Sequence, residues 1–342
     1  MKTNDLIDIG SSVLKAHLFK RSYPLNVTFT ITTRCNFKCQ YCKMWNRNEK
    51  EMTLEEIISL IDELSMIGTK RLSFSGGEPL LREDIGEIIN YSKKKGLFLT
   101  INSNGFLVEE YLNKIRKIDI MILSFDGPPD IHDFQKYKGA YENLMRAIKI
   151  LRKEGIRVGT TTTLTKNNID QIDFILKKSH ELNFFTNFKL IHHPPAASGD
   201  TDWLIPAQEK YRQGILKLIE DKKSRNSTII NSMEYFKVLL NWPNYYKPCY
   251  SSKDNNFFKN IRCWAGKLFC HIDSNGDLYA CDQHLKEVKA PNILTEGFYK
   301  AFKNLPKIDC GICLAGDYLE YNLLFSLHLG AVYNSLKWSL NL

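Results

Sequence analysis

The chain has 342 residues, 43% hydrophobic and 25% charged, the composition of an ordinary globular protein with room for one large domain and a smaller one. Forty-seven basic against 38 acidic residues leave a net charge of +9, spread in short runs such as Lys93-Lys94-Lys95 and Lys177-Lys178. These read as solvated helix faces, and no basic stripe interleaved with aromatics marks a nucleic-acid surface, so no nucleic-acid partner is expected. The first nine residues carry acids and no apolar core, and no run of about 18 apolar residues could span a bilayer, so a cytoplasmic, reducing setting is expected.

Lys2 to Leu25 contains one short, mixed helix candidate with Leu14, His17, Leu18 and Phe19. Val27-Thr-Phe-Thr-Ile31 alternates and is β-branched, hence a first strand. Directly after it comes Cys35-Asn-Phe-Lys-Cys39-Gln-Tyr41-Cys42. Three thiolates at this spacing can hold three corners of a 4Fe-4S cube and leave the fourth iron open. The competing readings are a zinc knuckle, which wants a fourth Cys or His where the nearest downstream histidine is His132, and unligated core cysteines, which rarely cluster so tightly.

Thr53-Leu-Glu-Glu56 is a capping box opening a helix with Leu54, Ile57, Ile58, Ile61 and Leu64 on one face, closed by Gly68. Strand two, Arg71 to Ser75, runs into Gly76-Gly77-Glu78-Pro79. Two glycines let backbone carbonyls approach a ligand closely, and a carboxylate such as Glu78 complements a cationic centre. A helix near Asp84 to Lys95 follows. Strand three, Leu97 to Ile101, leads into Asn102-Ser103-Asn104-Gly105, and strand four, Ile118 to Ser124, into Phe125-Asp126-Gly127-Pro128. A helix from Tyr141 to Glu154, strand five from Ile156 to Leu164, a helix from Ile169 to Leu182 and strand six from Phe188 to His192 complete six βα-type repeats. Such alternation means a parallel sheet, and six units fall short of the eight that close a barrel.

His192-His193 read as satisfied strand-end histidines, with substrate contact the alternative. After a loop come a helix from Gln208 to Lys222 and a short one holding Met233, Phe236 and Leu240. Asn241 to Asn260 reads as an irregular connection whose aromatics (Trp242, Tyr245, Tyr246, Tyr250, Phe257, Phe258) pack or line a cleft. Leu268 to Ile272 and Leu278 to Cys281 flank an Asn275-Gly276 hairpin turn that can bring Cys263 and Cys281 together, and Cys310-Gly-Ile-Cys313 supplies a compact pair. Four thiolates close either a zinc site or a fully ligated cluster. Cys249 and Cys270 are left over and read as buried thiols, Cys249 being the better candidate for a functional one. The tail, with Leu319, Leu323, Leu324, Leu327, Val332, Leu336 and Trp338, is amphipathic; packing on the open barrel is the plain reading, and contact with a membrane surface or an apolar substrate the sharper one.

Cys-x3-Cys-x2-Cys with an aromatic before the third Cys, followed by Gly-Gly-Glu-Pro after the next strand, resembles the radical S-adenosylmethionine superfamily. Cys-x12-Gly-x4-Cys, a gap, then Cys-x2-Cys resembles the auxiliary-cluster domain called SPASM in its shortened twitch form. The resemblance implies an α/β fold, an open partial (β/α)6 barrel with a small C-terminal cysteine-rich auxiliary domain. It implies an S-adenosylmethionine-binding 4Fe-4S cluster on Cys35, Cys39 and Cys42, and an auxiliary 4Fe-4S cluster on Cys263, Cys281, Cys310 and Cys313, zinc being the alternative there. It also implies S-adenosylmethionine contacts from Tyr41, Gly76, Gly77, Glu78, Ser103, Asn104 and Ser124, and a reductant such as flavodoxin or ferredoxin. Asp126-Gly127 and His132-Asp133 look like the loop after strand four in relatives with extra clusters, the basic residue there being Lys136 or Lys138. The expected divisions are an extension (1–24), the barrel (25–193), a connection (194–260), the auxiliary domain (261–316) and the tail (317–342). The implied activity is reductive cleavage of S-adenosylmethionine and hydrogen-atom abstraction. About two dozen residues precede the first strand, too few for a leader-peptide-binding domain, which favours a non-peptide substrate. The alternatives are a ribosomal-peptide or protein maturase and a non-catalytic metal-stabilised binding module.

Overall fold

A computed structural model describes residues 3–19, 22–191, 201–251, 258, 260–308 and 310–340. Helix α1 (Thr3–Phe19) precedes β1 (Asn26–Thr32), α2 (Leu54–Ile67), β2 (Arg71–Gly76), α3 (Ile85–Lys94), β3 (Phe98–Ser103), α4 (Val108–Ile115) and β4 (Ile120–Ser124). Then follow α5 (Pro129–Gln135), α6 (Ala140–Lys153), β5 (Arg157–Leu164), α7 (Ile172–Leu182), β6 (Phe185–Leu190), α8 (Gln208–Lys222) and α9 (Met233–Leu240). The remainder comprises β7 (Cys249–Tyr250), β8 (Phe269–Ile272), β9 (Leu278–Tyr279), α10 (Ile293–Glu296), α11 (Phe298–Lys303), β10 (Ile312–Cys313), α12 (Gly316–Phe325) and α13 (Leu329–Leu340).

Six parallel strands pair in chain order from β1 to β6, in a register that sets Thr28 against Ser73, Ser73 against Thr100 and Thr100 against Ile120. Side chains alternate across the sheet. Val27, Phe29, Ile31, Leu72, Phe74, Leu99, Ile101, Met121 and Leu123 are 1% exposed or less and belong to the main apolar core. The opposite, concave face carries Thr28, Ser73, Thr100 and Asn102, which line a cavity. The α2 capping box forms as expected, with the Glu56 N–H donating to Thr53 and the Thr53 N–H to the Glu56 carboxylate, and Gly68 closes the helix in a left-handed conformation.

The structure departs from the sequence reading in several places. Helices α4 and α5 were not expected; they are 8 and 7 residues long, too short to show a helical period, and α5 is announced only by Pro at its first position. Strand β6 starts three residues earlier than expected, at Phe185. The β8–β9 hairpin joins the barrel sheet, β8 pairing in parallel with β1, so that the sheet has eight strands. In the aromatic connection the default reading, packing, holds for Trp242 and Tyr245, which are buried, with Trp242 on Tyr250 and Phe258; Tyr246 is exposed, and none of these lines the cavity. The tail forms α12 and α13, whose residues face the concave side of the sheet across that cavity. His192, His193 and Phe257 lie outside the described residues. Among the described residues no helix is long and apolar enough to cross a membrane.

Candidate cofactor and cluster sites

The loop after β1 is pinned at its base and along its length. Arg34 makes a two-point ion pair with Glu51 at 2.9 and 3.1 Å, and Thr33 Oγ1 donates to the Arg47 carbonyl at 3.1 Å. Further along, the Gln40 N–H donates to the Gln135 carbonyl at 3.1 Å and Gln40 Nε2 to the Phe134 carbonyl at 2.7 Å, tying the loop to α5. The Cys35 and Cys42 sulfurs accept from the Phe37 and Met44 N–H groups at 3.4 and 3.5 Å. Burial pushes all three thiols up, Cys35 to about 12, so a metal must displace protons to bind them. No fourth cysteine lies in the loop, and this donor set suits a cluster with one open corner.

The Gly-Gly pair is required by the backbone that meets it. Gly76 has φ +125°, and a Cβ there would lie 2.1 Å from the Thr32 carbonyl oxygen; a Cβ on Gly77 would lie 2.1 Å from that of Arg34. Hydrogen bonds from Gly77 N–H to Thr32 and from Glu78 N–H to Arg34 close the contact. Only glycine lets the end of β2 sit this close to the cysteine loop. The Glu78 carboxylate, fully buried, accepts from Leu80 N–H (3.1 Å), Ser103 Oγ (2.9 Å) and Asn104 N–H (2.8 Å). It is thus turned toward protein donors, and burial raises it to about 7 against the pull of those bonds. Asn104 Nδ2 donates to Asn36 Oδ1 at 2.7 Å, so the cysteine loop, the Gly-Gly-Glu loop and the end of β3 form one network. Ser124, at the end of β4, lines the cavity.

Tyr41 donates to Asp126 Oδ2 at 2.7 Å, and Lys136 Nζ lies 3.0 Å from the same carboxylate and also hydrogen-bonds the Tyr41 oxygen. The Lys136 and Asp126 side chains are 4% and 1% exposed, a buried ion pair between α5 and the loop after β4. Burial pulls the Lys136 ammonium down, but Asp126 and Tyr41 hold it well above its ordinary value. His132 accepts the Asp126 N–H at 3.1 Å, and burial takes it down to about 4. The sequence flagged Asp126, His132 and Lys136 without giving them a role; their partnership with Tyr41 emerges only in three dimensions.

The second thiol set gathers around one small hollow lined by Cys249, Cys263, Cys281, Cys310 and Cys313 together with Gln283 and His284. The four expected cysteines come together, and Cys249, set aside in the sequence reading, is with them because β7 pairs with β10 and places Cys249 opposite Cys313. No sequence spacing links residues so far apart. Cys270 is different: it is 1% exposed, opposite Val27 of β1 in the core, and burial raises it strongly. Among the described residues no three His, Cys, Asp or Glu side chains converge as the ligands of a single ion do.

Between the sheet and the C-terminal helices lies a cavity of about 600 Å³. Both walls are mixed: the sheet contributes Thr28, Ser73, Thr100 and Asn102 beside Ile120, Ile122 and Phe185, and the helices Leu324, Val332, Leu336 and Trp338 beside Asp317 and Glu320. Arg71 borders it at the N-terminal end of β2 with its Nε unpartnered, whereas Lys189 is paired with Asp317.

Residues 29–178 match the family model described as the Radical SAM superfamily. The chain is 34% identical over 174 residues to the Fe-coproporphyrin III synthase of Methanosarcina barkeri, a match covering 48% of this chain and 44% of that protein. It is 26% identical over 333 residues to the AdoMet-dependent heme synthase of the same organism, covering 87% and 95%. Against the mycofactocin maturase MftC of Mycolicibacterium smegmatis it is 25% identical over 289 residues, covering 81% and 69%. Among solved structures, Streptococcus suis SuiB bound to S-adenosylmethionine has the same fold, with a TM-score of 0.68 and 16% identity over 88% of this chain and 71% of that one.

Proposed function

Because this chain belongs to the radical SAM superfamily, whose members use a 4Fe-4S cluster and S-adenosylmethionine, we propose that it abstracts a hydrogen atom from a small, amphipathic, non-peptide substrate held between the sheet and the C-terminal helices. The observation that carries this is the single network joining the three-thiol loop, Gly76-Gly77 and the end of β3, next in the chain to Ser75 and Asn102, which line the cavity together with Ser124. Cys35, Cys39 and Cys42 would hold the cluster, which would supply the electron for reductive cleavage of S-adenosylmethionine. The chain's own residues do the positioning. The backbone of Gly76 and Gly77, with Ser103, Asn104 and Ser124, holds the polar parts of the cofactor. Tyr41, fixed by Asp126 and Lys136, keeps the loop in place, and Glu78 braces the strand ends.

Cys263, Cys281, Cys310 and Cys313 are assigned to an auxiliary 4Fe-4S cluster that relays an electron, with zinc the alternative; their gathering around one hollow supports a shared metal centre. A flavodoxin or ferredoxin is the expected reductant, and two-electron oxidation or radical bond formation the expected outcome. Two of the relatives are named for the synthesis of porphyrins, which accords with a metabolite in a cavity of mixed polar and apolar lining and of suitable size. The likeness to a maturase keeps that class as the second reading. Anaerobically reconstituted protein should hold about eight irons and, with a strong reductant, release 5'-deoxyadenosine. Metabolite, lipid and peptide extracts of strains with and without the gene, compared by mass spectrometry, should differ in a non-peptide mass. Colourless, zinc-loaded protein sinks the enzyme reading, and a mass shift confined to one ribosomal peptide restores the maturase.

A further inference from the structure

We propose that Cys249 belongs to the auxiliary site as a fifth thiol, sharing one corner of its cluster with Cys313 and able to replace it there; this rests on the reading that the site holds a cluster. A cube takes four protein ligands, yet five thiols line the one hollow. They are not equivalent. Cys249 hydrogen-bonds Cys313, and Cys263 hydrogen-bonds Cys310, with Cys281 buried beside them.

Backbone contacts, not chance, put Cys249 there. Cys249 faces Cys313 and Tyr250 faces Ile312 across the antiparallel β7–β10 pair, and the Leu314 N–H donates to the Pro248 carbonyl at 2.9 Å. Gly311, between the two thiols of the Cys-x2-Cys turn, has φ +63°, and a Cβ there would lie 2.0 Å from the Tyr250 carbonyl oxygen. The turn that carries Cys310 and Cys313 is therefore shaped to admit the strand that carries Cys249. Directly opposed residues of an antiparallel pair have Cβ atoms roughly 4.5–5.5 Å apart, so side-chain rotation alone exchanges the two sulfurs at one iron. The incoming thiol gives its proton to the departing thiolate, and no oxidation state changes.

The test uses the full chain with Cys35, Cys39 and Cys42 all replaced by Ala, so that only the auxiliary site binds iron. After anaerobic reconstitution this parent should hold about four irons. Adding Cys313→Ala or Cys249→Ala alone should leave that content unchanged, and adding both, which leaves one corner without a thiol, should lower it. Iodoacetamide labelling, mapped by peptide mass, guards against misfolding. In the Cys313→Ala protein, Cys249 should be protected while iron is bound and labelled once a chelator removes it. If Cys313→Ala alone empties the site, or Cys249 there labels equally with and without iron, the proposal is overturned. A parent that binds no iron overturns the cluster reading itself, and this proposal with it.

Discussion

Glu78 is the residue whose environment most changes its expected part. The sequence presents it as a carboxylate beside a cationic ligand, but its oxygens are taken by three protein donors in a site with no exposure. Its carboxyl is raised from 4.5 to about 7 because desolvation outweighs those bonds. A carboxyl whose folded pKa lies above its unfolded value holds its proton longer in the native state. Its contribution is full below about pH 4.5 and is lost as pH rises through about 7. The loss is on the order of 3 kcal/mol for a shift of this size. The melting temperature should therefore fall across that window. Glu78→Gln should flatten the fall, while costing about 1–3 kcal/mol because its amide nitrogen is set against donors. An unaltered pH slope in the variant would show that another group carries it.

At the scale of elements, the docking of α5 on the cysteine loop depends on a buried charge pair. Lys136 and Asp126 are almost wholly enclosed, and Tyr41 bonds to both. Removing one member of such a pair strands the other, which typically costs about 3–5 kcal/mol, whereas removing both costs much less. Lys136→Met should lower unfolding stability by that amount, and Asp126→Asn added to it should recover a large part, as read by denaturant unfolding of the metal-free protein. Additive losses would mean that the two charges are not coupled. Helix α5 was missed from sequence because at seven residues it has no period to read, and what ties it to the cysteine loop is contact with Gln40 and Tyr41, about ninety residues away in the chain.

For the whole molecule, the hairpin after Cys263 extends the barrel sheet through β8 on β1, and the Met52 N–H donates to the Ser274 carbonyl at 2.8 Å. A buried Arg47–Asp273 ion pair adds a second tie between the cysteine loop's far end and the hairpin turn. The two thiol sets therefore belong to a continuous scaffold, as an electron relay requires. Cys310→Ala combined with Cys313→Ala leaves three thiols at the second site and none of the first site's ligands altered. This variant should still release 5'-deoxyadenosine but lose turnover to product. A folded variant that makes product at the wild-type rate would remove the relay role.

What the sequence determined by itself is local and periodic. Alternating β-branched strands, capped amphipathic helices, and Cys35, Cys39 and Cys42 followed by Gly76-Gly77-Glu78 specify the parallel sheet and the rim on which its loops lie, because each signal sits within a few residues of its effect. Of the second site, the compact Cys310-x2-Cys313 pair and the Asn275-Gly276 turn between Cys263 and Cys281 were legible locally, and the resemblance joined the four cysteines into one set. Only the tertiary structure decided the rest: the burial of Glu78, the Tyr41–Asp126–Lys136 cluster, Trp242 and Tyr245 as core, α12 and α13 as a wall of the cavity, and Cys249 beside Cys313. Each of these depends on contacts between residues distant in the chain. Desolvation and packing are properties of the completed surroundings, and no spacing along the chain encodes them.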